Sequence, residues 1–332
     1  MISMESQLPP RSFHRAGLLS SLFAIFPLAF VFAQTTPPTQ PVGHMARVGD
    51  EAGTAEAIRA HLAELSARVQ QAPEDHQLLA RYGLALVKAG RSDEGLAVLT
   101  RAAVAAPEEP EVLLLYAKGM LRAELFDEAV RQGLAAAVSP LANRKIRAEG
   151  YSVAGFARWR QGNVRRAEEL LRKSVTFDKS NPRAFFNLGV LLYNSGKRAE
   201  GVGFLEQAFE IAPRDQRVLK GLADLYQRQG QLKKSLEFLE RLAEQRGDDA
   251  PLAARMGALY LQTGQRDKAV EYMGRAVDLE PSNRDYHFGY ATTLARAGRL
   301  DEARRQVEIA EEMGLDVSAV RRIIDGATSG KP

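Results

Sequence analysis

RQGNVRRA at residues 160–167 returns as NSGKRAEG at 194–201, RQGQLKKS at 228–235, QTGQRDKA at 262–269 and RAGRLDEA at 296–303. Gly162, Gly196, Gly230, Gly264 and Gly298 therefore stand 34 residues apart. Earlier copies are KAGRSDEG at 88–95, around Gly90, and RAELFDEA at 122–129, where Glu124 takes the place of the glycine. A fixed period of this length marks an array of like units that stack on one another, each too small to cover its own apolar face.

Other positions keep step with the glycine. Seven residues before it stand Gly83, Ala117, Gly155, Gly189, Ala223, Gly257 and Ala291, and five after it stand Gly95, Ala129, Ala167, Gly201, Ser235, Ala269 and Ala303. Twelve after it come Ala102, Ala136, Ser174, Ala208, Leu242, Ala276 and Ala310, with Leu242 the one large residue. Between these small residues, apolar ones recur at helical spacing, as in Phe185, Leu188 and Leu192, and no alternating pattern competes. Each unit thus reads as a helical hairpin. The glycine ends the first helix in the left-handed conformation it alone adopts cheaply, and the small residues lie where the two backbones cross.

A 34-residue helix-turn-helix with small residues at these offsets, closed by Pro73, Pro107, Pro140, Pro213 or Pro281, resembles the tetratricopeptide repeat. Lys179 and Gly247 replace the proline in two units and should soften those joints. A five-residue excess between Pro140 and Lys179 lengthens the first helix of the third unit, around Asn143 to Arg160. About seven repeats fill residues 74–315. The resemblance implies an all-α, right-handed superhelical solenoid whose inner wall is formed by the first helix of each unit.

The ends differ from the array. Arg11 and Arg15 precede an apolar run from Leu18 to Phe32 that closes on Val31-Phe32-Ala33, the order of a secretory signal peptide over residues 1–33. Uncleaved, the same segment would be an anchor. Residues 34–53 begin QTTPPTQPVG and read as an extended, flexible tether. An N-terminal capping helix is expected within 54–73, with Ile58, Leu62, Leu65 and Val69 on one side. Residues 316–332 supply a short C-terminal capping helix carrying Val320, Ile323 and Ile324, then a frayed tail from Gly326. The reading is of an exported chain, periplasmic or extracellular, touching a membrane only through an uncleaved leader.

Taking residues ten, six and three before the turn glycine as inward-facing gives Ser152, Phe156 and Trp159 in the third unit and Phe186, Val190 and Tyr193 in the fourth. Arg160, Asn187, Asn194, Arg217, Lys220, Asp224 and Arg228 surround this aromatic patch. Aromatic area beside forked donors suits an extended or helical peptide bearing apolar and acidic groups. The alternative is that these aromatics simply fill the wall between neighbouring helices. One family variant grips a peptide's terminal carboxylate with Lys, Asn and Arg spread over three units. Asn187 and Arg217 match that set in type, whereas Ser152, Phe156 and Gly221 stand where a Lys, an Asn and a basic residue are expected, so the set is incomplete.

Nothing in the sequence points to chemistry. The chain has no cysteine, and its five histidines show no metal-ligand spacing. No metal-binding, nucleophile-elbow or phosphate-loop motif is present, so no cofactor, metal or catalytic residue is expected. The pI is near 9.2, yet basic and acidic residues alternate along most segments, so nucleic acid is not an expected partner. The sequence therefore describes a non-enzymatic scaffold that binds another protein or peptide. The competing reading is an envelope carbohydrate-binding or enzymatic role in which the aromatic patch stacks on sugar rings.

Overall fold

The computed structural model describes residues 55–329; the leader expected at 1–33 and the tether at 34–53 lie outside the described residues. Seven helical hairpins follow one another. They are α2 (His76–Lys88) with α3 (Ser92–Ala105), α4 (Pro110–Arg122) with α5 (Phe126–Val138), and α6 (Arg144–Arg160) with α7 (Val164–Phe177). Then come α8 (Pro182–Asn194) with α9 (Arg198–Ile211), α10 (Gln216–Arg228) with α11 (Leu232–Arg246), α12 (Ala250–Gln262) with α13 (Arg266–Leu279), and α14 (Arg284–Ala297) with α15 (Leu300–Glu312). α1 (Ala55–Gln71) precedes them and α16 (Ser318–Ser329) follows. Among the described residues there is no strand.

The turn glycines hold each hairpin closed by their backbone. Gly90, Gly162, Gly196, Gly230, Gly264 and Gly298 all have φ between 73° and 93°. The residue after the glycine donates its N–H back across the turn, Lys197 to the Leu192 carbonyl and Gln231 to the Tyr226 carbonyl, each at 2.9 Å. That closes carbonyls which the end of an α-helix leaves without partners. Glu124 adopts the same conformation, φ 62°, and is the one non-glycine residue to do so among the described residues. A side chain there costs about 1 kcal/mol or more. Glu124→Gly should therefore raise stability by about 1 kcal/mol, seen as a higher urea midpoint; an unchanged or lower midpoint would show that its ion pair with Arg160 at 2.9 Å outweighs the strain.

The first helices begin differently. Asp75, Asn143, Asn181, Asp215, Asp249 and Asn283 each cap one by accepting a backbone N–H on the side-chain oxygen. Most second helices have no such cap, because the tight turn delivers them directly.

Within a hairpin the small residues meet backbone to backbone. A Cβ on Gly189 would lie 2.8 Å from the Gly201 carbonyl oxygen, and one on Gly201 would lie 2.7 Å from that of Gly189. Where serine replaces alanine at these crossings, its buried hydroxyl bonds the facing helix: Ser174 Oγ to the Ala148 carbonyl at 2.7 Å, and Ser235 Oγ to the Ala223 carbonyl at 2.8 Å.

Between hairpins the packing is asymmetric, and this produces the curvature. Each second helix touches the first helix that follows it, and most successive first helices also approach one another, α2 to α4, α4 to α6 and α6 to α8. Among the described residues, no second helix approaches another within the same Cα distance of 8 Å. The first helices are thus the crowded inner layer and the second helices the spread outer layer of a solenoid. The outer layer is tied by a repeating polar clasp. Tyr226 donates to Glu206 at 2.7 Å while Lys234 lies 5.0 Å over its ring, and Tyr260, Glu240 and Lys268 repeat the arrangement 34 residues on.

One joint is wider than the rest. α10 and α12 do not approach within 8 Å between Cα atoms. Leu242, large where other units have Ala or Ser, is buried against Leu252 and Met256 of α12 and holds that helix off. The gap on the inner side is bridged by long side chains, Arg255 reaching Asp224 at 2.6 Å and Gln227 at 2.7 Å.

Both ends are covered. Leu62 and Leu65 of α1 are buried where that helix packs on α2, while Ile58 near its free end is 42% exposed. At the other end Val317, Val320 and Ile324 join Leu294, Val307 and Ala310 in one cluster. The sequence suggested a tail frayed from Gly326, but α16 continues to Ser329, with Thr328 Oγ1 bonded back to the Ile324 and Asp325 carbonyls.

Candidate binding groove

The inner layer places the twelve predicted groove residues in three environments. Phe186, Asn187, Val190 and Tyr193 are buried, and Val190 has no exposed surface at all. Phe186, Val190 and Tyr193 pack with Leu222, Leu225 and Tyr226 between α8 and α10. This corrects the expectation that the fourth unit offers a free aromatic face: there, the wall-filling alternative applies. The physical reason lies on α10, where a Cβ on Gly221 would stand 2.4 Å from Phe186 Cε2. Gly221, at a position where the carboxylate-gripping variant carries a basic residue, is a socket for Phe186. Asn187 spends its amide on Ser152 Oγ at 3.4 Å.

Phe156 and Trp159 of α6 are half-buried, their rings edge to face with centroids 6.0 Å apart. One side of Trp159 packs against the clusters of α8 and α9, and the remainder stays open. An aromatic platform therefore survives in the third unit.

The polar residues divide between ties and exposed groups. Arg160 pairs with Glu124 at 2.9 Å and lies 5.1 Å over the Phe126 ring. Arg217 closes on Asp215 at 2.6 Å, and Asp224 is held by Arg255. Asn194, Lys220 and Arg228 are exposed. The Arg217 guanidinium has a further effect on Asp215, whose carboxyl burial alone would push up. Hydrogen bonds from Arg217 outweigh that and hold it below the usual carboxylate range. Its lowered value means stability present above the unfolded pKa, about 3.9, and lost as pH falls through the folded value. Asp215→Asn should thus be less stable than the parent at pH 7, with the gap in urea midpoint shrinking by pH 3. A constant gap would show that the helix cap alone matters.

Sequence reading missed Arg255, nine residues before its turn glycine, which belongs to a set of rungs across the inner layer. Arg81 on α2 meets Glu111 on α4 at 2.7 Å, Lys118 on α4 meets Glu149 on α6, and Arg255 on α12 meets Asp224 on α10. Sequence reading took both signs as alternating along most segments, with a basic balance around the groove; arranged on the solenoid, the charges separate by layer. The seven first helices carry sixteen basic and four acidic residues. The seven second helices carry sixteen and twenty. Three of the four inner acids, Glu111, Glu149 and Asp224, are consumed in the rungs, so the inner layer is strongly basic while the outer one is weakly acidic.

Among the described residues no His, Asp and Glu group is arranged to hold a metal ion, and no helix is long and apolar enough to cross a membrane. His287 is a core residue, its ring nitrogens 2.7 Å from Gln306 Oε1 and 2.9 Å from the Pro281 carbonyl.

A solenoid of helical hairpins with a basic inner layer belongs to the class of helical-repeat binding scaffolds, and comparison with known proteins identifies the family. The profile described as tetratricopeptide repeat matches residues 54–110, 154–213 and 254–312, and a second profile of the same description matches 195–259. The chain belongs to the tetratricopeptide repeat family. No curated protein matches its sequence. Among solved structures it is similar to PilF of Pseudomonas aeruginosa, with 18% identity, 64% of this chain and 94% of that one covered, and a TM-score of 0.51. The Cut9–Hcn1 hetero-tetramer of the APC/C gives 12% identity over 82% of this chain and 54% of that one, with a TM-score of 0.50. MamA from Desulfovibrio magneticus RS-1 gives 22% over 50% and 94%, with a TM-score of 0.44. At such identities the likeness concerns the fold alone. Tetratricopeptide repeat proteins bind other proteins or peptides, generally as non-enzymatic scaffolds.

Proposed function

We propose that this chain is an exported, non-enzymatic scaffold that holds an acidic peptide segment of a partner protein along its inner groove. The carrying observation is the segregation of charge. Basic residues outnumber acidic ones fourfold on the helices that form the inner layer, and three of the four inner acids are already paired. Such a surface attracts and orients a chain of opposite sign. Phe156 and Trp159 add an apolar foothold of low conformational cost. Export rests on the Arg11, Arg15 and Leu18–Phe32 leader, and places the array outside the cytoplasm, free or tethered.

The test is affinity capture from envelope and secreted fractions with the chain as bait, beside Trp159→Ala and the pair Lys220→Glu/Arg228→Glu. Tyr193 is left intact because it is packed. The reading expects a protein partner whose affinity falls about tenfold or more in each variant, with an unchanged thermal midpoint for the exposed charge pair. Equal capture by the parent and the charge-reversed pair would remove the groove from the proposal. Retention of glycans without any protein would favour the sugar-stacking alternative.

A further inference from the structure

A slot of about 700 Å³ opens on the outer side of the second unit, between α3 and α5. Leu96 and Thr100 form one wall, Phe126 and Arg131 the other, and Tyr116 and Met120 of α4 the floor. On its far side α5 lies against the lengthened α6, backbone to backbone: a Cβ on Gly150 would stand 2.5 Å from the Gly133 carbonyl oxygen.

The turn at the mouth of the slot breaks the repeat at two adjacent positions. Every other turn has a glycine followed by a polar residue, namely Arg91, Asn163, Lys197, Gln231, Gln265 or Arg299; this one has Glu124 followed by Leu125. Glu124 is held in the left-handed conformation, and Leu125 is 48% exposed. The Glu124 backbone works against stability, and packing does not require it, since Ala117, Ala129 and Ala136 of the same unit keep the small residues of the repeat. The mouth is also acidic where the groove is basic. The side chains of Glu124 and Asp127 are 66% and 84% exposed; Arg160 of α6 meets Glu124 at 2.9 Å, while Asp127 has Arg158 at 3.5 Å and accepts from Gln161 Nε2 at 3.0 Å. Glu128 adds a third carboxylate, against Arg131 as the one basic group in the lining.

We infer that this slot is a second docking surface, which takes a short peptide segment carrying an apolar side chain beside a lysine or arginine. The apolar side chain enters over Tyr116 and Met120 against Leu125, and the cation meets the Glu124 and Asp127 carboxylates. The volume lies within the range of ligand-binding clefts. The surface faces outward, shares the Arg160–Glu124 pair with the groove, and selects the opposite charge.

The test is selection of a random twelve-residue peptide library displayed on phage against the intact chain, followed by affinity measurement of the enriched peptides on three variants. Leu125→Lys removes the apolar rim and reverses the charge at an exposed position, Thr100→Trp fills the slot from an exposed wall position, and Lys220→Glu/Arg228→Glu alters only the groove. The inference expects an enriched class with an apolar residue flanked by Lys or Arg, weakened about tenfold or more by the first two variants and untouched by the third. Helical circular dichroism and the thermal midpoint of Leu125→Lys and Thr100→Trp should match the parent. The inference is overturned if no enriched peptide responds to either slot variant, or if the peptides that do respond are acidic. Loss of acidic peptides on the groove variant alone would support the groove proposal while rejecting this one.

Discussion

Gly201→Ala is expected to cost the array about 3 kcal/mol, whereas Gly203→Ala, two residues along the same helix, should gain about 0.5–1 kcal/mol. Both glycines lie inside α9, and helix propensity favours alanine equally at each. Their surroundings decide the sign. A Cβ on Gly203 meets nothing within 4 Å, but one on Gly201 would stand 2.5 Å from the Tyr193 amide nitrogen and 2.7 Å from the Gly189 carbonyl oxygen. Those atoms belong to the backbone of α8 and cannot rotate away, so the two helices must part along their whole crossing. Parting them loosens Leu188, Leu192 and Leu205, which have no exposed surface, and close-packed interiors respond sharply to such shifts. Urea denaturation of both variants checks the pair. A Gly201→Ala protein as stable as the parent would show that close backbone approach does not hold the hairpin.

Much of this fold is written in the spacing of small residues, because steric exclusion at a helix crossing leaves only Gly, Ala or Ser and does so in every unit. The same applies to the turn, where a left-handed residue is required and glycine supplies it; the Glu124 exception was visible as a substitution, though its backbone conformation was not. The groove was less legible. Offsets from the turn glycine identify the inward side of a helix, but not how far the next helix stands from it. At α8 the absence of a side chain at Gly221 lets Phe186 sink into the neighbouring helix, and Val190 and Tyr193 are closed off with it. At α10 the bulk of Leu242 has the opposite effect further along, and Arg255 must span the gap. Both outcomes depend on residues of different helices, Phe186 with Gly221 and Leu242 with Leu252 and Met256, whose coupling a single helix pattern does not reveal. The charge asymmetry, in contrast, was present in the sequence and hidden by averaging over the chain. Summing charges by helix layer exposes it once the 34-residue period has assigned each helix to a layer.

A chain ending at Leu315 should lose roughly 3 kcal/mol from its last hairpin and almost nothing from its first four. α16 buries Val320 and Ile324, at 1% and 2% exposure, and anchors Val317 beside them at 3%. Each such side chain contributes about 1.5–3 kcal/mol when fully buried, and ordering a twelve-residue helix offsets part of that. Removing it uncovers Leu294, Val307 and Ala310, the apolar face that every earlier unit covers with its successor. In a quasi-one-dimensional stack each unit interacts with its neighbours only, so the damage should stay local. The Leu242 joint between α11 and α12 strengthens that expectation, since the inner helices there are bridged by Arg255 and shared apolar side chains rather than by backbone approach. Hydrogen exchange reads the effect helix by helix. Amides of α14 and α15 should exchange faster by about a hundredfold, those of α12 and α13 less so, and those of α2 to α9 at the parent rate. Uniform acceleration from α2 to α15 would mean that the array unfolds as one cooperative body, and that its joints are far stiffer than their packing implies.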